Sequence, residues 1–350
     1  MVNRIGSMKV QSIAKILCLI LLIGFACREK QINTGRAFYY WKTLFDGRDL
    51  HILDTLAVKR LMVRCFDIEK VQEQVVPVAP IRFTEEGKKA ARKYSINPVV
   101  FITPSALAFY ADTNQVKTLG IKIIDQVEKI FTANGLKQGD ELQIDCDWTS
   151  NTRENYFVLL RTIKAEMAKR NANNIVSVTL RLHQVKYANQ TGIPPADKAL
   201  LMCYNMGNLK NPATVNSIID PEEMEKYLGR LETYPLPMDI ALPVFNWHVW
   251  FRQMTYKGLI KDNVVASLPF SRNRYIFSRD STLGSYSFEA GDMIRFEDSR
   301  PEVLQKALKL LEKKMPKGLS PIIHLYYFDS TLVSKYTLHD LEEIFNGLHH

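Results

Sequence analysis

The stretch 141-ELQIDCDWT-149 has the pattern of an apolar strand, yet it carries two aspartates one residue apart. Side chains of a strand alternate between its two faces, so Asp145, Asp147 and Thr149 are expected to share one face, with the apolar residues between them on the other. Two carboxylates on one face raise each other's pKa unless a cation or a hydrogen-bond donor separates them. Such a pair costs stability and therefore indicates a functional site.

Seven further stretches are short, apolar and rich in β-branched or aromatic residues, like this one. Together they give eight predicted strands: 37–44, 60–68, 98–105, 141–149, 175–183, 199–207, 239–248 and 320–330. Their near-continuous hydrophobicity is typical of strands covered on both faces. Helical patterns fall between most of them, the clearest at 84–94, 121–135, 153–171 and 221–234.

Eight strands that alternate with helices predict an α/β fold, a (β/α)8 TIM barrel. An open doubly wound sheet is the alternative, but no glycine-rich phosphate-binding sequence follows the first strand. Polar residues also follow the carboxyl end of nearly every predicted strand, which is where barrels build their sites.

Residues 249–319 are too many for one step from strand to helix to strand, so an insertion between strands seven and eight is predicted. This inserted subdomain or flap contains paired strand patterns in 272–299 and a helix at 301–314. The segment 291–298 could itself be the eighth strand. We favour 320–328, because 337–348 then supplies the closing helix.

The first 27 residues form a separate segment. Three basic residues precede the apolar run 16-ILCLILLIGFA-26, which is shorter than a membrane-spanning helix needs, and Cys27 follows it directly. This pattern predicts a signal peptide over 1–27, and its end resembles the lipobox of bacterial lipoproteins. The resemblance implies that Cys27 is lipidated and that 28–350, a single barrel domain, is exported to the bacterial cell envelope and anchored to a membrane, the outer one. An ordinary cleaved signal and an uncleaved anchor are the alternatives.

The charge and the cysteines exclude several classes of function. The formal net charge of +9 is not gathered into a long basic run, so nucleic acid is not an expected partner. Cys65, Cys146 and Cys203 each lie in an apolar run, and the sequence has neither a CxxC pair nor the histidine spacing of a zinc site. No metal and no cofactor are predicted.

Two short motifs resemble those of a known family. The run 144-IDCDWT-149 is similar to the DxDxE signature of the family-18 glycoside hydrolases, the chitinase-like barrels. By position, Asp145 and Asp147 match the last two aspartates, and Thr149 stands where the catalytic glutamate is usual. In the sixth predicted strand, 202-MCYNMG-207 resembles the MxYD motif of the same family, with Tyr204 on its tyrosine and Asn205 in place of its aspartate.

The resemblance implies a substrate-assisted hydrolysis in which the glutamic acid protonates the leaving oxygen and the neighbouring aspartate stabilises the developing cation. A threonine hydroxyl is too weak an acid to supply that proton near neutral pH. Loss of a general acid forfeits about 10²- to 10⁴-fold in rate. The chain is therefore not expected to be an efficient chitinase by this route.

Three functions stay open at this point. The first is a carbohydrate-binding or otherwise non-hydrolytic member, in which Asp145 and Asp147 occupy the catalytic positions. Its predicted saccharide-binding residues are Tyr204, Asn205, Thr149, Trp41, Trp247 and Asp329. The second is a glycoside hydrolase that takes its acid from another strand end, where Asp67, Glu69, Arg181, His183, His248 and Asp329 are available. The third is a structural or assembly lipoprotein, in which the same carboxylates are solvated and the tryptophans fill the core.

Overall fold

A computed structural model describes residues 35–318 and 320–348, without the side chain of Asp262, so the predicted signal peptide and Cys27 lie outside the described residues. Eight parallel strands form a closed barrel: β1 (Arg36–Tyr40), β2 (Arg60–Val71), β3 (Ser95–Ile102), β4 (Glu141–Asp145), β5 (Ile175–Arg181), β6 (Lys198–Met202), β7 (Met238–Pro243) and β8 (Ile323–Tyr326). The barrel closes because β1 pairs in parallel with both β8 and β2. The predicted (β/α)8 fold is confirmed.

Helices connect the strands. Their bounds are His51–Thr55, Glu85–Ala91, Pro104–Ala108, Thr113–Ala133, Arg153–Arg170, Leu182–Lys186, Ala188–Thr191, Pro221–Glu225, Leu228–Arg230 (a 3-10 turn), Asp262–Val265, Pro301–Lys314, Ser330–Val333 and Leu338–Phe345. Several begin at a side chain that accepts from the first turn, as Thr84 and Asp220 do. Pro221 follows Asp220 at the first helical position, where its fixed φ suits the helix.

Several predicted strands end earlier in the structure than their sequence pattern indicated, among them the fourth, sixth, seventh and eighth. The fourth strand ends at Asp145, so Asp147 and Thr149 lie in the loop that follows and not in the strand itself. The eighth barrel strand is Ile323–Tyr326, as favoured from the sequence, whereas Met293–Glu297 belongs to a separate antiparallel sheet. Strand pairing sets these limits, since Asp145 is the last residue of β4 that pairs with β3.

The insertion between β7 and β8 builds a sheet of its own. Its antiparallel strands are Trp247–Arg252, Thr255–Ile260, Arg274–Ile276 and Met293–Glu297, with a hairpin of Ser281–Leu283 and Tyr286–Phe288 beside them. A small core formed by Ile260, Val265, Phe277, Phe288 and Ile294 fills it. Elsewhere, the strand Gln74–Val78 pairs antiparallel with the end of β2, and the short strand Leu44–Phe45 pairs in parallel with Arg82–Phe83. A flap role for 249–319 stays a prediction.

A fully buried ion pair ties the insertion to the loop after β6. Arg295 Nε lies 2.5 Å from Glu297 Oε1, and neither side chain is exposed. Arg295 also donates to the backbone oxygens of Leu209 and Asn211. Glu297 Oε2 accepts from the backbone N–H of Ser217 at 2.7 Å and from its hydroxyl. The loop between β6 and the next helix is therefore held by charge-assisted hydrogen bonds as well as by apolar packing, in which Leu209 contacts the core of Val249, Phe251 and Met293.

The amino-terminal half of the barrel interior is charged, which the near-continuous hydrophobicity of the strands did not predict. Glu141 on β4 accepts from Arg60 of β2 at 2.8 Å and lies 3.1 Å from Lys198 of β6. Lys198 Nζ is also 2.5 Å from Asp239 of β7, whose carboxylate is 3.5 Å from the ring of buried His324. These contacts reach across β3 and β5, so the side chains meet inside the barrel.

The apolar core lies between the outer face of the strands and the helices. Cys65, Cys146 and Cys203 are buried free thiols within it, as the apolar runs around them predict. None of the described helices has the length and hydrophobicity that a membrane crossing requires.

Candidate functional site

The two aspartates of the opening stretch lie at the carboxyl end of β4, and each has its own partner on the next strand. The hydroxyl of Thr179 donates to Asp145 Oδ1 at 2.6 Å. The guanidinium of Arg181 donates to both oxygens of Asp147, each at 2.6 Å. A hydrogen-bond donor and a cation thus separate the two charges, which is how one short segment tolerates both.

The strand register explains these partners. Ile144 of β4 pairs with Val178 of β5, so the side chains of Thr179 and Arg181 lie beside Asp145 and Asp147. Arg181 is one of the candidate groups predicted from the sequence, whereas Thr179 is not. Thr179 and Arg181 are two residues apart, as Asp145 and Asp147 are, so each pair lies on one face of its strand. This shared spacing is the sequence signal that could have predicted the contacts between the two pairs.

Burial raises the pKa of the Asp145 carboxyl to about 6. The hydrogen bond from Thr179 and the positive charge of Arg181 act in the opposite direction, and the carboxylate of Asp147 adds to the rise. Asp145 therefore exchanges its proton near neutral pH, whereas an ordinary aspartate is fully ionised there. This property is useful in a general acid or base.

The raised pKa predicts how Asp145→Asn changes stability with pH. An unfolded aspartate titrates near 4 and the folded one near 6, so the folded state binds more protons in this window and the wild-type chain loses stability as the pH rises through it. Asparagine keeps the acceptor for Thr179 and does not ionise. We expect the variant to be more stable by about 2 kcal/mol at pH 8 and nearly equal at pH 4. Chemical denaturation from pH 4 to 8 measures this.

The control is Asp125→Asn, which removes a half-exposed carboxylate from the helix Thr113–Ala133. Its stability relative to wild type should change little over the same window, because the side chain of Asp125 is 57% exposed and an exposed ion pair contributes little to stability. If the difference between wild type and Asp145→Asn stayed constant with pH, the ionisation of Asp145 would not be the cause.

Three tyrosine rings, those of Tyr39, Tyr204 and Tyr326, lie close enough to the half-buried Asp145 to feel its charge. Tyr204 stacks on Tyr326 with centroids 5.0 Å apart, and Tyr39 lies 5.5 Å from Tyr326. Burial, followed by the charge of Asp145, raises the pKa of Tyr39 well above its usual value. Trp41 is partly exposed and lies 5.6 Å from Tyr326. Tyr204 and Trp41, both predicted binding residues, are thus brought together by Tyr326, which the sequence analysis did not single out.

Three other predicted binding residues lie outside the eight barrel strands. Asn205 is exposed and adopts φ 54°, a left-handed conformation that asparagine tolerates better than most residues. Thr149 is exposed, and its backbone N–H donates to the hydroxyl of Thr152. Trp247 packs 5.3 Å from Phe245 and donates its indole N–H to Glu297 at 2.8 Å, so its ring orientation is set by the insertion.

Two of the candidate acids are held in ion pairs. Asp329 caps the helix Ser330–Val333 and pairs with Lys42 at 2.8 Å. These contacts give Asp329 a structural role. Asp67 receives two hydrogen bonds from Arg64, whose Nε lies 2.7 Å from it. Glu69 lies further along β2 and is partly exposed.

The two candidate histidines differ in their surroundings. His248 is buried in the sheet of the insertion between Phe270 and Phe296, so its predicted place at the end of the seventh strand is wrong. The predicted strand continued through 248, but β7 ends at Pro243. His183 follows β5, and burial together with the charge of Arg181 lowers its pKa. His183 is therefore neutral at pH 7 and can both donate and accept a hydrogen bond.

Within the described part of the chain, no group of three or more His, Cys, Asp or Glu side chains is arranged to hold a metal ion. Three carboxylates near the mouth, Asp147, Asp67 and Asp329, are instead paired with Arg181, Arg64 and Lys42.

The sequence itself matches no family model and no curated protein. Solved structures share its fold. The spore cortex-lytic enzyme SleL of Bacillus cereus is similar with a TM-score of 0.52 at 13% identity, over 91% of this chain and 75% of that one. A chitinase from Chromobacterium violaceum gives 0.53 at 12%, over 90% and 99%. A GH18 chitinase from Cycas revoluta, solved with (GlcNAc)3, gives 0.51 at 9%, over 89% and 99%.

The chain has the barrel fold of these glycoside hydrolases. The strand order β1 to β8 closes in the same (β/α)8 arrangement. At identities of 9–13% the likeness concerns the fold, and function must be argued from the side chains at the mouth.

Proposed function

We propose that this chain is a carbohydrate-binding or carbohydrate-processing, glycoside-hydrolase-like lipoprotein of the bacterial cell envelope that lacks chitinase activity. The observation that carries the proposal is the pair Asp145 and Asp147 at the mouth of the barrel, with Thr149 where the resembled motif has its acid. Carboxylates accept hydrogen bonds from sugar hydroxyls. Tyr204 is buried against Tyr326, whereas Trp41, which also contacts Tyr326, is partly exposed and offers an apolar face to a sugar.

Two features argue against hydrolysis by the resembled route. Thr149 cannot donate a proton near neutral pH. Asp147 is held by both of its oxygens to Arg181, which limits the rotation that a carboxylate would need to share a proton with its neighbour. Both features leave hydrogen bonding to a saccharide intact.

The envelope location and the anchor are supported by the basic residues, the apolar run and Cys27 in the first 27 residues. If Cys27 carries the lipid, Cys27→Ser should move the chain from the membrane fraction to the soluble fraction of a bacterial host. A variant that stays in the membrane fraction would contradict lipidation at this residue and favour an uncleaved anchor.

One observation supports an active glycoside hydrolase as the second candidate. Burial raises the pKa of Asp145 to about 6, so a fraction of the molecules carries a protonated Asp145 near neutral pH. Asp67 and Asp329, in contrast, form ion pairs with Arg64 and Lys42. A carboxyl group like that of Asp145 can act as a general acid. In this case the acid comes from β4 itself.

One experiment separates the two candidates. The full-length chain, kept soluble in a mild detergent, is tested on a broad glycan panel, with binding and reducing-end release recorded from the same wells. We expect binding without release, and no release from chitin oligosaccharides. Release that disappears in Asp145→Asn and persists in the control Asp125→Asn would establish the hydrolase instead. Neither binding nor release on any glycan would contradict both candidates and favour a structural lipoprotein.

A further inference from the structure

Arg181 uses only part of its hydrogen-bonding capacity. Its Nε and Nη2 donate to Asp147, while within residues 35–318 and 320–348 its Nη1 makes no hydrogen bond. A guanidinium carries N–H donors on more than one edge and keeps its charge at every physiological pH. The side chain of Arg181 is 40% exposed, so the remaining edge is open to a ligand.

A small cavity lies beside this guanidinium, between the ends of β5 and β6. Its volume is about 90 Å³, and polar groups of Arg181, His183, Tyr204 and Asn205 contribute to its lining. Asp147 does not line it, and neither does any other carboxylate. This volume is well below the roughly 300 Å³ of a typical ligand pocket, so the cavity suits a substituent of a sugar rather than a whole saccharide.

The side chains that line the cavity include no acid. Lys186 lies with its Nζ 4.8 Å from the ring centroid of Tyr227, another lining residue, and so adds a second cation on that side. His183 is neutral at pH 7 and can donate one hydrogen bond. Asp147, the nearest acid to Arg181, is bound on the edge formed by Nε and Nη2. An anionic group would therefore meet donors and positive charge in this cavity.

We propose that the saccharide bound at this mouth carries a carboxylate, which enters the cavity and pairs with the free edge of Arg181. The planar guanidinium matches a carboxylate with two parallel hydrogen bonds, an interaction that an alcohol or an ester cannot reproduce. Tyr204 and Asn205 contribute neutral hydrogen bonds to the same sugar. This inference rests on the proposed carbohydrate binding and names the class of its ligand.

The test compares acidic sugars with their neutral counterparts. Oligogalacturonate is paired with its methyl ester, and sialyllactose with lactose, and the dissociation constant of each is measured with the full-length chain in detergent. We expect the wild-type chain to bind at least one acidic sugar about 10- to 100-fold more tightly than its neutral partner. Arg181→Gln should abolish this preference. Arg181→Lys should reduce it, because lysine keeps the positive charge but lacks the planar pair of N–H donors that a guanidinium offers a carboxylate.

Two further variants keep the test specific. Arg161→Gln removes an exposed arginine from the helix Arg153–Arg170 and should leave the preference unchanged. Asp147→Asn should keep a preference for the acidic over the neutral sugar at least as large as that of the wild type, even if both sugars bind more weakly, since it removes a competing negative charge from Arg181. Thermal unfolding of each variant shows that the barrel is intact.

The outcomes separate this inference from the proposed function. Equal affinity for acidic and neutral sugars, or a preference that survives Arg181→Gln, would overturn the carboxylate assignment while leaving carbohydrate binding in place. Binding of no sugar at all would contradict the proposed function and this inference with it.

Discussion

Glu297→Gln is expected to lower the free energy of unfolding by about 3–5 kcal/mol, because it leaves the charge of Arg295 buried without its counter-ion. Glutamine has nearly the same shape as glutamate, so packing is kept. Its amide group cannot accept all the hydrogen bonds that the carboxylate receives from Arg295, Ser217 and Trp247. Chemical denaturation followed by circular dichroism measures the loss.

The matched control for this variant is Glu289→Gln on the same insertion. Glu289 pairs with Arg252 at 2.7 Å, but its side chain is 56% exposed, and such pairs contribute little to stability. We expect the control to unfold almost as the wild type does. Equal effects of the two substitutions would mean that burial of Arg295 is not the reason for the loss.

Glycan affinity is a second property that Glu297→Gln is expected to change. Trp247 donates its indole N–H to Glu297, so Glu297→Gln is expected to loosen the ring as well as the loop that carries Ser217. If Trp247 stacks on a sugar, glycan affinity should fall even at temperatures where the variant is fully folded. Unchanged affinity would remove Trp247 from the predicted binding residues.

Glu141→Gln is the second substitution with a large expected effect, again about 3–5 kcal/mol of unfolding free energy. The Glu141 side chain is 1% exposed and receives contacts from Arg60, Lys198 and the hydroxyl of Ser177. Loss of its charge leaves Lys198 with Asp239 alone and Arg60 with only a surface partner. Denaturant titration at pH 7 is the measurement.

Asp140→Asn provides a close control, because Asp140 is the neighbouring residue and contacts the same Arg60 at 3.1 Å. Its side chain is 54% exposed, so solvent replaces the lost interaction. We expect a small change only. A loss as large as that of Glu141→Gln would place the important charge at the barrel rim rather than inside it.

The fold could be predicted from the sequence because it follows from local patterns. Short apolar runs and the helical patterns between them predicted the eight barrel strands and most of the principal helices, and the closing helix after 320–328 correctly identified β8. The end of β4 at Asp145 was missed, since the alternation of Asp145, Asp147 and Thr149 looks the same in a strand and in the extended loop that follows it.

The partners of the site could not be predicted in the same way. Thr179 and Arg181 reach the two aspartates only because β4 and β5 pair in one register, which a single sequence does not reveal. The charged interior was missed for a related reason. Glu141, Lys198 and Asp239 each stand at or near the first residue of a strand, where a charge is usually solvated, and only closure of the barrel brings them together.

The charges inside the barrel bear on how the chain folds. Arg60, Glu141, Lys198 and Asp239 belong to β2, β4, β6 and β7, so the set joins both halves of the barrel. An intermediate in which only the first four strands are folded could pair Glu141 with Arg60. It would lack the contact between Glu141 and Lys198, because Lys198 and its partner Asp239 lie on β6 and β7. Partial barrels therefore lack contacts that the closed ring has, and the ionic network favours cooperative folding of the two halves over independent folding of either one.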